Sequence, residues 1–282
     1  MTARAAVAAR VAQLIAPLRE QPGSAAVLCD VDGTLAPIVG DPGSAAVPEE
    51  TRQALRTLAR RYALVACVSG RRAVEARSLV GVDELAYAGN HGLELLAPRA
   101  KEAILDPAVT DRVHAARDFV RELEPAALSG AGLRLEDKGP IQALHWRGAA
   151  DGEAAERRAG EIATAARKAG LEPRGGRRVL EIRPASGVDK GTAVKRLLSA
   201  QPIERALFAG DDRTDLDAFG ALRSLVAAGS LTRAVCIGIG SAEAPAELSQ
   251  QADAVVGGTE EFLGVLRALA EPRTAAPDAA QG

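Results

Sequence analysis

Ala25-Ala26-Val27-Leu28-Cys29-Asp30-Val31-Asp32-Gly33-Thr34-Leu35 is an apolar run that ends in two carboxylates and a glycine. Five apolar residues closed by a turn signal read as a buried strand. Acids at positions 30 and 32, at the C-terminal end of such a strand, are costly unless positive charge meets them. A bound cation removes much of that cost, and a carboxylate that metal keeps ionised can also attack phosphorus. The second carboxylate is close enough to protonate a leaving oxygen. Gly33 lets the chain turn sharply, and Thr34 offers a hydroxyl and a backbone N–H to a phosphate. Taken alone, the pattern also fits an ordinary Asp-Gly turn, so the reading depends on what lies downstream.

The chain has 282 residues, 47% hydrophobic and 26% charged, which suits one or two globular domains with a proper core. A net charge of −2 and 2% aromatic residues argue against a nucleic-acid partner, since there is no basic block and no stacking series. No stretch approaches the length of a membrane span, so no membrane partner is expected. The Ala/Arg-rich start carries no acid before Glu20, a faint transit-peptide trait, but it lacks a secretory apolar core and cleavage site. Val7, Val11, Leu14 and Leu18 recur at helical spacing and favour an amphipathic helix that Pro17 should kink or end. Cys29, Cys67 and Cys236 lie in apolar runs without a C-x-x-C pair, consistent with buried thiols in a reducing, cytoplasmic setting. His91, His114 and His145 show no zinc spacing.

Apolar β-type runs alternate with helical segments, which predicts an α/β fold with a doubly wound, mainly parallel sheet of Rossmann type. Strands are expected at 26–30, 64–69, 85–88, 207–210, 234–239 and 254–256, with helices at 49–61, 192–200, 215–222 and 260–270. The middle differs: a helix at 108–123, a strand pair at 133–136 and 141–146, a helix at 153–168, and a second pair at 171–173 and 178–182. This order reads as a small open sheet with helices on one face. The expected organisation is an N-terminal helix or extension at 1–23, a core at 24–105 and 185–271, an inserted α/β domain at 106–184, and a disordered tail at 272–282.

Three further stretches carry chemistry. Val68-Ser69-Gly70-Arg71 follows the second core strand, where Ser69 can either hold a phosphate oxygen or cap a helix. Asp189-Lys190-Gly191-Thr192 places a lysine at a helix start, where the dipole disfavours it unless an anion sits there. That anion could be phosphate or the Asp30 carboxylate; a snorkelling surface lysine is the alternative. Gly210-Asp211-Asp212-Arg213-Thr214-Asp215 gathers three carboxylates at the next strand end, implying a hard metal with oxygen ligands or, failing that, a helix-capping cluster. In a doubly wound sheet, Asp30 and Asp211 fall together at the carboxyl edge, where ligands bind.

The ordered set D-V-D-G-T-L, S-G-R, Lys190 and G-D-D-R-T-D resembles the motif order of the haloacid dehalogenase superfamily, with room for a cap between the second and third motifs. From about Ala26 to Ala270, the finer resemblance is to trehalose-6-phosphate phosphatases. It rests on Leu35-Ala36-Pro37-Ile38-Val39 with Asp41-Pro42, Gly89-Asn90-His91-Gly92-Leu93-Glu94, Glu136-Asp137-Lys138-Gly139, Leu180-Glu181-Ile182-Arg183-Pro184 and Val188-Asp189-Lys190-Gly191. Leu216 stands where that family usually has Glu, and Val31 where an aromatic is often found.

The resemblance implies that Asp30 is the nucleophile, forming an aspartyl-phosphate, and that Asp32 is the general acid and then the base. It implies Mg²⁺ held by Asp30, the Asp32 carbonyl and Asp211, with Asp212 and Asp215 as further acids. Ser69 and Lys190 would hold phosphoryl oxygens, with Thr34 and Arg71 beside them. Asn90 and His91 would line the core side of the substrate, and Glu136, Lys138 and Glu181 would grip the distal glucose of trehalose 6-phosphate. A small sugar-phosphate substrate and a monomeric protein are expected. A phosphatase for another sugar phosphate, such as sucrose phosphate or glucosylglycerate phosphate, stays open. So do a phosphomutase and a silent regulatory or synthase-associated module; intact Asp30, Asp32, Lys190 and Asp211 argue against the last.

Overall fold

The computed structural model describes residues 3–39, 45–176, 178–241 and 244–272. In chain order the first elements are α1 (Ala3–Glu20), β1 (Ala25–Cys29), α2 (Glu49–Ala59), β2 (Leu64–Val68), α3 (Ala73–Val80), β3 (Ala86–Gly89), β4 (Glu94–Leu96) and β5 (Ile104–Leu105). The middle holds α4 (Ala115–Arg121), α5 (Pro125–Gly130), β6 (Arg134–Asp137), β7 (Gln142–His145), α6 (Gly152–Lys168), β8 (Leu171–Gly176) and β9 (Val179–Pro184). The chain continues with α7 (Lys190–Ser199), β10 (Arg205–Gly210), α8 (Asp215–Ala227), β11 (Arg233–Ile239), α9 (Ala246–Gln251), β12 (Ala254–Val256) and α10 (Gly258–Ala270). Two compact units emerge, 1–104 with 189–282, and 105–188. The second is wider than the expected insertion by one residue at its start and four at its end.

In the first unit the sheet runs β12-β11-β10-β1-β2-β3-β4-β5. The pairs from β12 through β3 are parallel, and β4 lies antiparallel to β3. This is the expected α/β, mainly parallel, doubly wound architecture. Every residue of β1 is buried, as strands covered on both faces must be. Ala25, Val27 and Cys29 enter one core with α1, α2 and α10, whereas Ala26 and Leu28 enter the other with α7 and α8. β1 lies between β2 and β10, so the chain order reverses beside it. Such a switch point opens a crevice at the carboxyl ends of the strands.

Some local expectations are corrected. α1, which Pro17 was expected to kink or end, runs on through that residue to Glu20. Ile15 and Leu18 on either side of Pro17 are fully buried, so tertiary packing retains a turn that the missing N–H weakens. The single helix expected at 108–123 is a 3₁₀ segment at Pro107–Arg112 followed by α4. Asp106 caps that segment by accepting the Ala108 N–H at 2.9 Å, and Pro125 starts the separate α5 as a first-turn proline. α3, α9 and β4 had no counterpart in the sequence reading. Asp41-Pro42 and the tail beyond Pro272 lie outside the described residues.

The second unit is a four-stranded antiparallel sheet, β6-β7-β9-β8. Leu144, Leu180 and Ile182 pack with Ala116 and Val120 of α4 and with Ala155, Ala159 and Ile162 of α6. Register and alternation put Glu136, Ala143, Glu181 and Arg174 in one row on the opposite face. Among the described residues no helix is long and apolar enough to cross a membrane. Cys29, Cys67 and Cys236 are free and buried, and burial pushes the Cys236 thiol up to about 12.

Phe208 of β10 and Phe219 of α8 are fully buried and meet edge-to-face with ring centroids 6.0 Å apart. Phe208→Ala should cost about 3–5 kcal/mol through lost burial and a residual cavity. Urea unfolding checks this; a loss below ~1 kcal/mol would mean that α8 closes onto the gap.

Candidate active site

The carboxyl ends of four parallel strands carry the polar residues of the site: Asp30 after β1, Ser69 after β2, Asn90 after β3 and Asp211 after β10. The Asp30 N–H donates to the carbonyl of Ala209 at 2.8 Å, so pairing with β10 extends to the first residue past β1. The chain then folds back on itself, with Gly33 N–H bonded to the Ala36 carbonyl at 2.7 Å and Ala36 N–H to that of Val31 at 2.9 Å. Gly33 has φ +86°, and a Cβ there would lie 2.2 Å from a carboxylate oxygen of Asp211. Both the backbone and the space therefore require glycine.

Lys190, the first residue of α7, is 3% exposed. Its ammonium sits 2.7 Å from Oδ1 of Asp30 and 2.7 Å from Oδ1 of Asp215. Of the two anions weighed for this lysine, the structure shows the Asp30 carboxylate, joined by Asp215; the snorkelling alternative is excluded by burial. Asp189 caps α7 in a reciprocal capping box with Thr192. Burial opposes the charge on Lys190, but the Asp215 and Asp30 carboxylates raise its pKa above the usual lysine range. Burial pushes the Asp30 carboxyl well above the usual carboxylate range; Lys190 pulls it back only in part, while Asp215 and Asp211 push it further.

Asp30, Asp211 and Asp215 are all buried, and each offers an oxygen within 4.8 Å of the others. Three carboxylates against one ammonium leave two uncompensated charges if all are ionised. Hard oxygen donors carrying that excess suit a divalent cation. Oδ2 of Asp215 also accepts the N–H groups of Asp211 and Asp212, each at 2.9 Å. A Cβ on Gly210 would strike the Asp215 carboxylate at 2.2 Å. Asp212 is half-buried and its Oδ1 accepts the Arg213 N–H at 2.7 Å; it is not part of the three-carboxylate group. Neither Asp211 nor Asp212 is the N-cap of α8, which starts at Asp215 after Thr214.

The remaining core residues surround this group. The Asp32 carboxylate is gripped by Arg71, Nε to Oδ2 and Nη2 to Oδ1, both at 2.7 Å. Thr34 is fully buried and its hydroxyl lies 3.4 Å from Oδ1 of Asp211. Ser69 Oγ accepts the Arg71 N–H at 3.1 Å; α3 begins only at Ala73, with Arg72 as N-cap, so Ser69 does not cap it. Asn90 is buried and His91 half-buried. A Cβ on Gly70 would lie 2.7 Å from the His91 ring.

Glu136, Lys138 and Glu181 belong to the second unit. There Lys138 Nζ meets Oε1 of Glu181 at 3.1 Å, and Arg183 donates to Oε2 of the same carboxylate. Glu136 bonds His145 Nε2 at 2.6 Å, a contact that holds its carboxyl below the usual glutamate range. His145 and Arg183 were given no role from sequence. Hairpin alternation is the signal that could have found His145, since Arg134 pairs with it and Glu136 lies two residues on, on the same face. Glu94, buried and bonded to the Ala73 N–H at 2.6 Å, was also without a role; a contact across 21 residues leaves no periodic trace.

The fold is a doubly wound α/β sheet with its buried acids gathered at the switch point, where such sheets bind ligands. A family model described as trehalose-phosphatase matches residues 28–252, and the chain belongs to that family. It is 37% identical over 183 residues to an uncharacterized glycosyl hydrolase of Mycobacterium tuberculosis, covering 61% of this chain and 13% of that protein. It is 35% identical over 206 residues to probable trehalose-phosphate phosphatase 9 of Oryza sativa subsp. japonica, covering 62% and 54%. The chain thus spans a small part of the first relative and about half of the second. The crystal structure of a trehalose-6-phosphate phosphatase related protein superposes with a TM-score of 0.66 at 26% identity, covering 87% of this chain and 96% of that one.

Lys190→Met should destabilise the metal-free protein by about 3–5 kcal/mol near pH 8, because it strands buried carboxylates. Those carboxylates would have raised folded-state pKa values, so the folded state binds more protons than the unfolded one. Stability then falls as pH rises and recovers on acidification. Urea unfolding in chelator at about pH 8 and about pH 5.5 reads this; an equal loss at both would contradict it.

Proposed function

We propose that the chain hydrolyses trehalose 6-phosphate to trehalose and phosphate. The observation that carries this reading is the buried Lys190–Asp30–Asp215 contact beside Asp211, at the carboxyl edge of a chain in the trehalose-phosphatase family. Lys190 holds Oδ1 of Asp30, so the other oxygen attacks phosphorus in line. The phosphorus–sugar oxygen bond breaks, and the leaving oxygen takes a proton from Asp32. Water then attacks the aspartyl-phosphate, gives a proton to Asp32, and the bond to Asp30 breaks to release phosphate.

Asp30 and Asp211 would hold Mg²⁺ together with the Asp32 carbonyl, with Asp215 fixing the Asp211–Asp212 backbone and the Lys190 ammonium. Bound there, Mg²⁺ supplies charge that keeps Asp30 ionised and stabilises the phosphoryl oxygens. Ser69 and Lys190 contribute donors to the same oxygens as charge shifts onto them. The Arg71 fork, which now grips Asp32, suits a phosphate dianion equally well. Moving to the phosphate, it frees Asp32 to carry a proton.

Trehalose is neutral, so discrimination must come from hydrogen bonds. We read the second unit as the cap of this enzyme class, with Glu136, Lys138 and Glu181 recognising the distal glucose. The ion pairs Lys138–Glu181 and Arg183–Glu181 hold that carboxylate in one geometry. Fixed polar groups reject analogues that leave them unpaired far better than apolar walls do.

Phosphate release from trehalose 6-phosphate, glucose 6-phosphate and sucrose 6-phosphate tests the reading. Mg²⁺ should be required, trehalose 6-phosphate strongly preferred, and Asp30→Asn inactive on all. Absence of Asp30-dependent release from every ester would overturn the phosphatase assignment. Glu181→Ala should reduce kcat/KM for trehalose 6-phosphate by roughly 10²-fold or more, with little effect on p-nitrophenyl phosphate; equal losses on the two would remove Glu181 from sugar recognition.

A further inference from the structure

The segment Gly89-Asn90-His91-Gly92-Leu93-Glu94 lies across the loop that joins β2 to α3, and three of its groups bind that loop. His91 N–H donates to the Ser69 carbonyl at 2.9 Å, and Asn90 N–H to the Arg71 carbonyl at 2.7 Å. The third is the Glu94 carboxylate, whose Oε1 accepts the Ala73 N–H at 2.6 Å. Ala73 is the first residue of α3, and its N-cap Arg72 offers no side-chain bond. A carboxylate brought from β4 therefore satisfies an orphan donor at the positive end of the helix dipole.

The backbone is shaped for this contact. Asn90 and His91 both lie in the left-handed region, at φ 51° and 58°, a costly conformation for non-glycine residues. A Cβ on Gly89 would fall 2.1 Å from the Ala73 nitrogen and 2.7 Å from Glu94 Oε1. Glu94 itself is 6% exposed.

We infer that Glu94 is a positioning residue: with the Asn90 and His91 backbones, its carboxylate clamps Ser69–Ala73 so that Ser69 and Arg71 are held ready for the phosphoryl group. The inference rests on the phosphatase reading for the roles of Ser69 and Arg71. The clamp acts through the loop and touches no reacting atom. Its loss should therefore reduce kcat and phosphate-analogue binding while the fold persists.

The test uses the full chain with Glu94→Ala, Glu94→Gln and Glu94→Asp. It measures turnover of p-nitrophenyl phosphate and trehalose 6-phosphate with Mg²⁺, inhibition by orthovanadate, thermal midpoint, and amide exchange at residues 69–73. Glu94→Ala should lower kcat about 10–100-fold and weaken vanadate to a similar degree, because small misplacements of binding groups are costly. Glu94→Gln keeps an acceptor for the Ala73 N–H and should stay within about threefold of wild type. Glu94→Asp, one methylene shorter, should fall between them and serves if the alanine variant does not fold. Wild-type kcat in Glu94→Ala or Glu94→Asp would overturn the clamp, as would losses in all variants that merely track the unfolded fraction. If wild type hydrolyses neither ester, the phosphatase reading fails by itself, and exchange then decides the clamp. Faster exchange at Ala73 in Glu94→Ala but not in Glu94→Gln supports it, and unchanged exchange rejects it.

Discussion

One buried ammonium organises the first unit of this protein. Lys190 reaches across from the start of α7 to join Asp30, after β1, with Asp215, at the start of α8. With 3% of Lys190 exposed, water cannot compensate any of the three charges, so each depends on the others. The contact ties the first strand of the fold to two helices more than 150 residues later in the chain. It also sets the electrostatic state of the site, because Asp30 sits among anions and is desolvated, with Lys190 its direct counterion. An unbalanced acidic cluster of this kind is a reason for the site to take up a cation.

Space around that contact is arranged by omission. Gly33 and Gly210 each stand where a Cβ would collide with a carboxylate, Asp211 in one case and Asp215 in the other. Their absence of side chains brings strand ends, acids and backbone N–H groups into one small volume. A second layer repeats the principle. Gly70 and Gly89 leave room for the His91 ring and for the Ala73–Glu94 bond, so the loop carrying Ser69 and Arg71 lies against the end of β3. The second unit works differently. Its sheet buries Leu144, Leu180 and Ile182 on the helix side and devotes the other face to charges that pair with one another, as Glu136 does with His145 and Glu181 with Lys138 and Arg183.

Much of this was legible in the residues alone. The apolar run before Asp30, the alternation of strands and helices, and the change of pattern in the middle pointed to a doubly wound sheet interrupted by a second α+β segment. The motif order from Asp30 to Asp215 led to the family. The boundaries that were missed have local causes. α1 runs past Pro17 to Glu20, because flanking buried residues outweigh one lost hydrogen bond, and a 3₁₀ segment opened by Pro107 takes the first part of a stretch whose apolar spacing looked continuous.

Strands, turns and the identity of the acidic residues were determined by sequence, because periodicity, glycine and proline act over a few neighbours. Which anion answers Lys190, that Asp32 is gripped by Arg71, that Thr34 faces Asp211 and that Glu94 caps α3 were decided only by tertiary structure. Each of those contacts joins residues at least 21 positions apart. No short-range pattern encodes such a pairing; it exists only once the parallel sheet has brought the strand ends to one edge.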